Sequence, residues 1–291
     1  MNEFEVITFE VVDYNHSHHL TKGNRRAAFF KRDRVCVVKF AMSLVNQQSF
    51  FSEPTVEFHL LGRVDFDDCL ALQHRLAYEA GGRDGGQIDV VLCEHPALIT
   101  IGRAGSRSQV RLSQEELKRR QLAMRWVGRG GGCVLHAPGQ LAIYPIVPLE
   151  WFDWTVGEYL RRFQAGIASA LASLGVSTTL SKSGFGVLGR SGPLAVMGVG
   201  VRNWTTVHGA FLNVNPAMTH YGFVDVCSPQ HAVCEKTTMG CVVAERRRPV
   251  KMTAVRAALV EQLAVSFGCQ RYHLHTGHPL LRELQERKET A

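Results

Sequence analysis

The sequence predicts an α/β fold, in which a mixed β-sheet is flanked by helices within one large domain. Three observations lead to this prediction. Short apolar runs bounded by glycine and proline recur along the chain, as is typical of buried strands. Amphipathic stretches with capping residues lie between these runs. The chain of 291 residues is also 45% hydrophobic, which is enough to form one sizeable core.

The predicted strands are short apolar runs that lie between turn residues. Such runs suit the buried positions of a sheet. In chain order they are residues 58–61, 88–93, 98–101, 124–127, 176–180, 194–201 and 210–214.

The predicted helices begin at residues whose side chains can cap a helix. The longest covers residues 156–174 and ends at Gly175, and the last covers residues 253–267 before Gly268. The first has an apolar face formed by Cys69, Leu72, Leu76 and Ala80. The capping residues are Asp65, Ser113 with Glu116, and Thr155 with Glu158.

Composition divides the chain into three parts. Residues 1–54 are rich in histidine and basic residues and lack periodicity, so we expect a poorly ordered N-terminal extension. This segment could be a leader, the region upstream of a start at Met42, or a histidine cluster that binds metal. Residues 55–275 form the predicted globular domain, and residues 276–291 form a C-terminal tail.

Several classes of protein are excluded or disfavoured. No apolar run reaches the roughly 18 residues of a membrane span, and the first thirty residues lack the apolar stretch of a signal peptide, so we expect a cytoplasmic protein. The net charge of +7 favours acidic partners in general, with a solvated basic surface as the alternative. No basic stripe interleaved with aromatic residues indicates nucleic-acid binding.

The eight cysteines are scattered along the chain, which favours reduced thiols over a disulfide framework. Zinc sites usually contain ligand pairs two to four residues apart. Cys227, Cys234 and Cys241 are more widely spaced, so we expect no structural metal site.

The densest motif is the glycine-rich segment from Gly128 to Gly132, which precedes Cys133. Consecutive glycines let the backbone approach a ligand closely and expose amide donors. The segment has neither the ending of a phosphate-binding loop nor the dinucleotide fingerprint. On composition alone, a tight hairpin and a binding loop are equally compatible with it.

Four blocks of residues, one of which contains this segment, follow one another along residues 60–267. They are Glu94-His95-Pro96 with Thr100-Ile101-Gly102-Arg103; Arg129-Gly130-Gly131 through His136, Pro138, Gly139 and Gln140 to Tyr144-Pro145; His208-Gly209 with Leu212-Asn213-Val214-Asn215; and Cys227. Together these blocks resemble the octanoyltransferases of lipoate biosynthesis, part of the lipoate and biotin ligase superfamily. Ordered blocks of this kind rarely arise by chance.

The resemblance implies a lipoate/biotin transferase-like single domain, with residues 55–275 as the acyltransferase catalytic domain. It implies a two-step transfer of an octanoyl group through Cys227, from octanoyl-acyl carrier protein to a lysine of a lipoyl domain. The acceptors implied are the E2 subunits of 2-oxoacid dehydrogenases and the glycine cleavage H protein. No cofactor, metal or membrane is implied. A thiolate suits this chemistry, because it attacks a thioester readily and divides one hard step into two easier ones.

The resemblance also assigns substrate-binding residues, each with a structural alternative. Arg129 could instead form a surface ion pair, and His136 and His208 could be hydrogen-bonded structural histidines. Asn213 and Asn215 alternate on a predicted strand, so we expect both on one face, where they could hold the loop that bears Cys227. The complete set is Arg129, Gly130, Gly131, Gly132, His136, Gly139, His208, Gly209, Asn213 and Asn215.

The cysteines of this region leave alternatives open. Cys227 could be a small buried hydrophobe. Cys234 is the second choice of nucleophile. Cys133 could contact the acyl chain or fill a strand position, and packing is the expected role.

The chain departs from the family pattern at one important position. The family has a lysine at the start of a strand of the type Lys-Ile-Ala-Ala-Ile-Gly, and Pro193 stands there in this chain. Proline carries no charge, so the thiol must be activated by another group. Lys182, Lys236, His136 and His208 are the candidates. A related lipoyl or octanoyl amidotransferase, a ligase-like enzyme and a non-catalytic acyl-binding relative are the alternative functions.

Overall fold

The computed structural model describes residues 53–83, 85–181, 185–225 and 238–290. The described residues form eleven strands and six α-helices. The strands are β1 (Thr55–Arg63), β2 (Gln87–Glu94), β3 (Leu98–Ile101), β4 (Ala123–Trp126), β5 (Cys133–His136), β6 (Gln140–Ile146), β7 (Thr179–Leu180), β8 (Gly186–Gly189), β9 (Gly192–Arg202), β10 (Thr205–Asn213) and β11 (Arg271–Thr276). The helices are α1 (Phe66–Ala80), α2 (Gln114–Arg119), α3 (Val156–Ser173), α4 (Val242–Arg246), α5 (Met252–Ser266) and α6 (Pro279–Glu289).

The strands form two sheets, and the mixed α/β fold predicted from the sequence is confirmed. The larger sheet has eight strands in the order β11-β1-β2-β6-β10-β9-β8-β7. Its β1 pairs in parallel with both β2 and β11, and the other pairs are antiparallel. The smaller sheet, β4-β3-β5, carries the glycine-rich segment between β4 and β5.

Both faces of the large sheet are covered. On one face, α3 and α5 bury side chains such as Phe163, Ile167 and Leu263 against the strands. On the other face, α1 and the small sheet enclose a second core that includes Leu72 and Ile99. Because apolar side chains are buried on both of its faces, the large sheet is the central layer of the fold.

The helix caps predicted from the sequence form with one difference. Asp65 accepts hydrogen bonds from the first-turn amides of α1, and Ser113 and Glu116 form a reciprocal capping box. Thr155 accepts from the amide of Glu158, but the Glu158 side chain pairs with arginines of its own helix and does not return to the cap. The last predicted helix corresponds to α5, which begins at Met252, just before its predicted start, and has no side-chain cap.

Several strands differ from the prediction. The strand expected at residues 176–180 is reduced to β7, and β5, β6, β8 and β11 were not predicted as strands. The expectation that Asn213 and Asn215 share one strand face is wrong, because β10 ends at Asn213. Asn213 is buried, whereas Asn215 lies beyond the strand and is exposed.

The C-terminal part of the chain packs onto the domain. The domain boundary predicted at residue 275 falls inside β11, which pairs with β1 along Thr55–Leu60. The predicted tail contains α6, and Leu281 of this helix is buried in the same core as α1. No described helix combines the length and hydrophobicity that a membrane span needs. The predicted N-terminal extension lies outside the described residues up to residue 52.

Candidate active site

The glycine-rich segment is held on both sides by backbone hydrogen bonds. Its carbonyl oxygens accept from a facing segment, residues 102–104, and the Gly130 amide donates to the Val199 carbonyl on β9 at 2.9 Å. The three facing pairs, donor first, are Arg103 with Arg129, Ala104 with Gly131, and Gly102 with Gly132. The loop is thus fixed between the small sheet and β9 of the large sheet.

Glycine is required where the backbone segments meet. A Cβ atom on Gly198 would lie 2.7 Å from the carbonyl oxygen of Gly130. Gly139 has a φ of +88°, and a Cβ there would lie 2.4 Å from the carbonyl oxygen of Asn215. Any side chain at either position would push the loops of the site apart.

A narrow groove begins at the glycine-rich segment and runs along β9. Its cavity volume is about 50 Å³, well below the roughly 300–1,000 Å³ typical of small-molecule sites, so the groove is narrow in this structure. Its walls are mostly apolar. The lining residues are Arg129, Gly131, Gly132, Cys133, Val134, Phe185, Val196, Met197, Gly198 and Phe211.

Arg129 is the cation of this groove, and only 1% of its surface is exposed. Its guanidinium donates to the carbonyl and hydroxyl oxygens of Thr100, at 3.0 and 2.8 Å, and to the carbonyl of Gly130 at 2.9 Å. No carboxylate contacts it among the described residues, so the surface ion pair considered as its alternative role is not found. Burial lowers the pKa of Arg129 to about 10, so it stays charged at neutral pH.

A buried hydrogen-bonded chain leads away from Arg129 through the small sheet. The Thr100 hydroxyl is 2.8 Å from His136 Nε2, and His136 Nδ1 is 3.0 Å from Gln140 Oε1. The amide oxygen of Gln140 only accepts, so Nδ1 carries the proton and Nε2 accepts from Thr100. His136 is therefore neutral with both nitrogens occupied, and burial lowers its pKa well below the usual value.

The same chain ends at Asn213. Its Oδ1 accepts from Gln140 Nε2 at 3.0 Å and from the Tyr221 hydroxyl at 2.7 Å. Its Nδ2 donates to the carbonyl of Gly240 at 3.1 Å. Through this last bond, Asn213 holds Gly240, which lies three residues after the undescribed segment 226–237.

His208 has an unusual backbone on β10. Its φ is +60°, and its amide donates to the Oε1 of Gln73 on α1 at 2.8 Å. Burial, and then the positive charge of Arg129, lower its pKa to about 3, so the ring is neutral. A positive φ in a non-glycine residue costs conformational energy and is often found near functional sites.

Not all of the residues predicted to bind substrate line the groove. Of that set, Arg129, Gly131 and Gly132 do, and Gly130 is next to them. His136 and Asn213 are buried behind the groove, Gly209 pairs with Gly198 across β9 and β10, and Asn215 is exposed beyond β10. Cys227 lies outside the described residues, as do Cys234, Lys182 and Lys236.

Other groove residues were missed by the sequence reasoning. Val196 and Met197 belong to the strand that contains Pro193, so the family pattern of that strand could have indicated them. Phe211 precedes the Leu-Asn-Val-Asn block. Phe185 comes from a loop that carries no motif, and nothing in the sequence indicates it. Cys133 lines the groove as well, which agrees with the alternative to simple packing considered for it from the sequence.

A larger cleft of about 1220 Å³ opens elsewhere, between α1 and the turn that joins β9 to β10. Its walls include His74, Trp151, Arg202 and Trp204. None of the predicted site residues that the structure describes lines this cleft. We therefore place the candidate site at the smaller groove, where the glycine-rich segment and Arg129 meet.

A family model and several relatives match most of the chain. The family model "Lipoyl protein ligase A/B catalytic domain" matches residues 65–264. The octanoyltransferase of Geotalea uraniireducens is 34% identical over 197 residues, which cover 68% of this chain and 86% of that protein. The octanoyltransferase of Geobacter metallireducens is 30% identical over 220 residues, which cover 75% of this chain and 97% of that protein.

Solved structures show the same fold. A lipoate-protein ligase A bound with ATP superposes with a TM-score of 0.65 at 15% identity, covering 82% of this chain and 97% of that one. A bi-partite lipoate protein ligase from Thermoplasma acidophilum, studied with its E2 lipoyl domain, gives a TM-score of 0.61 at 16% identity, with 81% and 94% covered. The architecture is that of a lipoate-protein ligase. The chain itself belongs to the lipoyl protein ligase A/B catalytic domain family.

Proposed function

We propose that the protein is an octanoyltransferase that moves an octanoyl group from a carrier-protein thioester to a lysine of a lipoyl domain, through Cys227. The relatives named octanoyltransferase support this activity. The observation that carries the proposal is the groove itself, an apolar channel that begins at the glycine-rich segment and contains one buried cation.

In the first step, the Cys227 thiolate attacks the thioester carbonyl, and the carrier protein leaves as its free thiol after taking up one proton. The octanoyl chain then lies between Met197, Val196 and Phe211. The amides of Gly131 and Gly132 have no hydrogen-bond partner among the described residues, so they are available to the acyl oxygen.

In the second step, a neutral lysine amine of the lipoyl domain attacks the acyl-cysteine. An amide bond forms, the thioester bond breaks, and the proton lost by the amine balances the thiolate that is released. The apolar walls exclude water, which would otherwise hydrolyse the thioester.

Arg129 takes over the electrostatic role of the missing family lysine in this proposal. It is the one cationic side chain among the described residues that line the groove. A positive charge nearby lowers the pKa of a thiol and raises its thiolate fraction. His136 is unsuited to this role because both of its nitrogens are bonded inside the small sheet.

The acceptors proposed are lipoyl domains of E2 subunits and the glycine cleavage H protein, and the donor is octanoyl-acyl carrier protein. One structural neighbour was studied with an E2 lipoyl domain. The net charge of +7 would steer such partners to the protein where they are acidic.

The test combines the full-length protein with octanoyl carrier protein, with and without a lipoyl domain. We expect a hydroxylamine-sensitive octanoyl adduct on Cys227 by mass spectrometry, and its transfer to the lipoyl domain without ATP. Cys227→Ser should lose both, whereas the matched variant Cys234→Ser should keep both. Transfer that requires ATP would replace this proposal with a ligase reaction, and a bound acyl chain without transfer would indicate a binding protein.

A further inference from the structure

Two cysteines and a histidine meet in the second core, behind the site. Cys69 lies on α1, Cys93 lies on β2, and His95 follows β2 directly. Each is at most 1% exposed. Their ligand atoms all lie within 4.8 Å of one another. The reaction proposed above uses none of the three.

Two of the three distances agree with one ion between the ligand atoms, and the third is at most 4.8 Å. Cys69 Sγ is 3.7 Å from Cys93 Sγ, and Cys93 Sγ is 3.6 Å from His95 Nε2. With Zn–S bonds of about 2.3 Å and Zn–N bonds of about 2.0 Å, tetrahedral angles place two sulfurs about 3.8 Å apart and a sulfur and a nitrogen about 3.5 Å apart. Cys93 therefore already stands at the distances from both partners that a shared ion requires.

The histidine is held in the form that binds metals. His95 Nδ1 is 2.8 Å from the backbone carbonyl of Val64, which can only accept, so Nδ1 carries the proton. The lone pair of Nε2 then faces Cys93 and the hydroxyl of Tyr144, which lies 2.8 Å away. A backbone carbonyl that fixes the distal nitrogen is the usual partner of a metal-binding histidine.

A buried amide donor also faces the sulfurs. Gln73 is fully buried, and its Nε2 donates to Cys69 Sγ at 3.8 Å. A divalent cation that replaces two thiol protons leaves an uncharged complex, which is the form that a buried site tolerates best.

We propose that Cys69, Cys93 and His95 bind one Zn²⁺ ion, with the hydroxyl oxygen of Tyr144 as the nearest candidate for a fourth ligand. Binding releases the two thiol protons and forms two Zn–S bonds and one Zn–N bond. Because the site is closed to solvent, the ion enters while the chain folds.

Such an ion would stabilise the layer that supports the site. It would tie α1 to the end of β2, where the carboxylate of Glu94 accepts from the Gly139 amide at 2.8 Å. The cluster could not be recognised from the sequence, because Cys69 and Cys93 are 24 residues apart and only the fold brings their sulfurs together.

The experiment refolds the full chain with Zn²⁺ or with Co²⁺, removes free metal, and measures bound metal and spectra. We expect about one tightly held ion per chain. X-ray absorption of the zinc form should show two sulfur neighbours at about 2.3 Å. The cobalt form should show thiolate charge-transfer bands and the intense visible bands of a tetrahedral ion.

Variants locate the ion. Cys69→Ser and Cys93→Ser should each lose the thiolate bands, whereas Cys269→Ser, which removes a buried thiol outside the cluster, should keep them. A chain in which His16, His18 and His19 are all replaced by alanine should also keep them. If a cluster variant fails to fold, the X-ray absorption of the unaltered zinc form still shows whether two sulfur atoms bind the ion.

Three results would overturn the proposal: refolded chain that holds no ion, an ion with only nitrogen and oxygen neighbours, or a disulfide between Cys69 and Cys93 that forms in place of metal uptake.

Discussion

Arg129 donates through one nitrogen, Nη2, to both the carbonyl and the hydroxyl oxygen of Thr100. A planar fork makes this geometry possible, and a lysine ammonium cannot reproduce it together with the bond to Gly130. We expect Arg129→Lys to lower the free energy of unfolding by about 1.5–3 kcal/mol, since hydrogen bonds to a charged group contribute roughly that much, and to lower the kcat/KM of octanoyl transfer because the positive charge leaves its place beside the groove. Steady-state kinetics with octanoyl carrier protein measures this loss. Wild-type kinetics in the variant would show that Arg129 is structural.

Met197 lies on the groove wall, so a larger side chain there should shorten the space for the acyl chain. Met197→Trp should favour shorter acyl donors over octanoyl by about tenfold, because excluding two methylenes costs roughly 1.6 kcal/mol of burial. The ratio of kcat/KM for butanoyl and octanoyl carrier protein is the measurement. Val201→Trp, on the exposed end of the same strand, is the control. An unchanged ratio would mean that the acyl chain binds elsewhere.

Asn213 joins the small-sheet network to Gly240, and its loss leaves buried polar groups without partners. We expect Asn213→Ala to lower the free energy of unfolding by about 1–3 kcal/mol, and Tyr221→Phe by about 1 kcal/mol. Urea unfolding measures both. Since the two side chains share a hydrogen bond, the double variant should lose less than the sum of the two. Strict additivity would speak against a connected network.

Pro193 offers a gain-of-function test that rests on the proposed function. Restoring the family lysine with Pro193→Lys should lower the pKa of the Cys227 thiol by about one unit. The thiolate fraction at neutral pH then rises about tenfold while its intrinsic nucleophilicity falls about threefold, so acylation should speed up about threefold. The pH dependence of Cys227 alkylation measures the shift. An unchanged profile would place Cys227 away from position 193.

His208 should make stability depend on pH. Burial and the charge of Arg129 lower its folded pKa to about 3, against about 6.5 in the unfolded chain. The unfolded chain therefore binds the proton first, so the contribution is complete above pH 6.5 and is lost as the pH falls towards 3. Between pH 6.5 and 4 the loss is up to about 3 kcal/mol.

The variant His208→Asn tests this pH dependence, because asparagine tolerates a positive φ and does not titrate. Urea unfolding at a series of pH values should give a flatter profile for the variant than for the wild-type chain. Equal slopes for both proteins would assign the acid sensitivity to other groups.

The sequence predicted local features well and long-range ones less well. Asp65 and Ser113 cap their helices as expected, because capping depends on residues only three or four apart. By contrast, β11 consists of six exposed residues, and only its pairing with β1 makes it a strand. The division into two sheets likewise depends on contacts that no periodicity reports.

In the candidate site, too, local features were predicted and long-range ones were not. The glycine-rich segment and Arg129 were predicted from adjacent residues in one block. The groove walls come from β9, β10 and the loop at Phe185, so only the fold brings them together. The exposed position of Asn215 could not be foreseen either, because alternation continues in the sequence after the strand has ended.

Because β11 pairs with β1, the first described strand must wait for the last one before its outer edge is covered. β1 leaves the ribosome first among the described strands, yet its outer neighbour is the last of them to be made. Until Thr276 has emerged, the backbone of Thr55–Leu60 remains an open edge that another nascent chain could join. A message cut short before codon 271 would therefore yield a product prone to aggregation, even though the groove residues are all present in it.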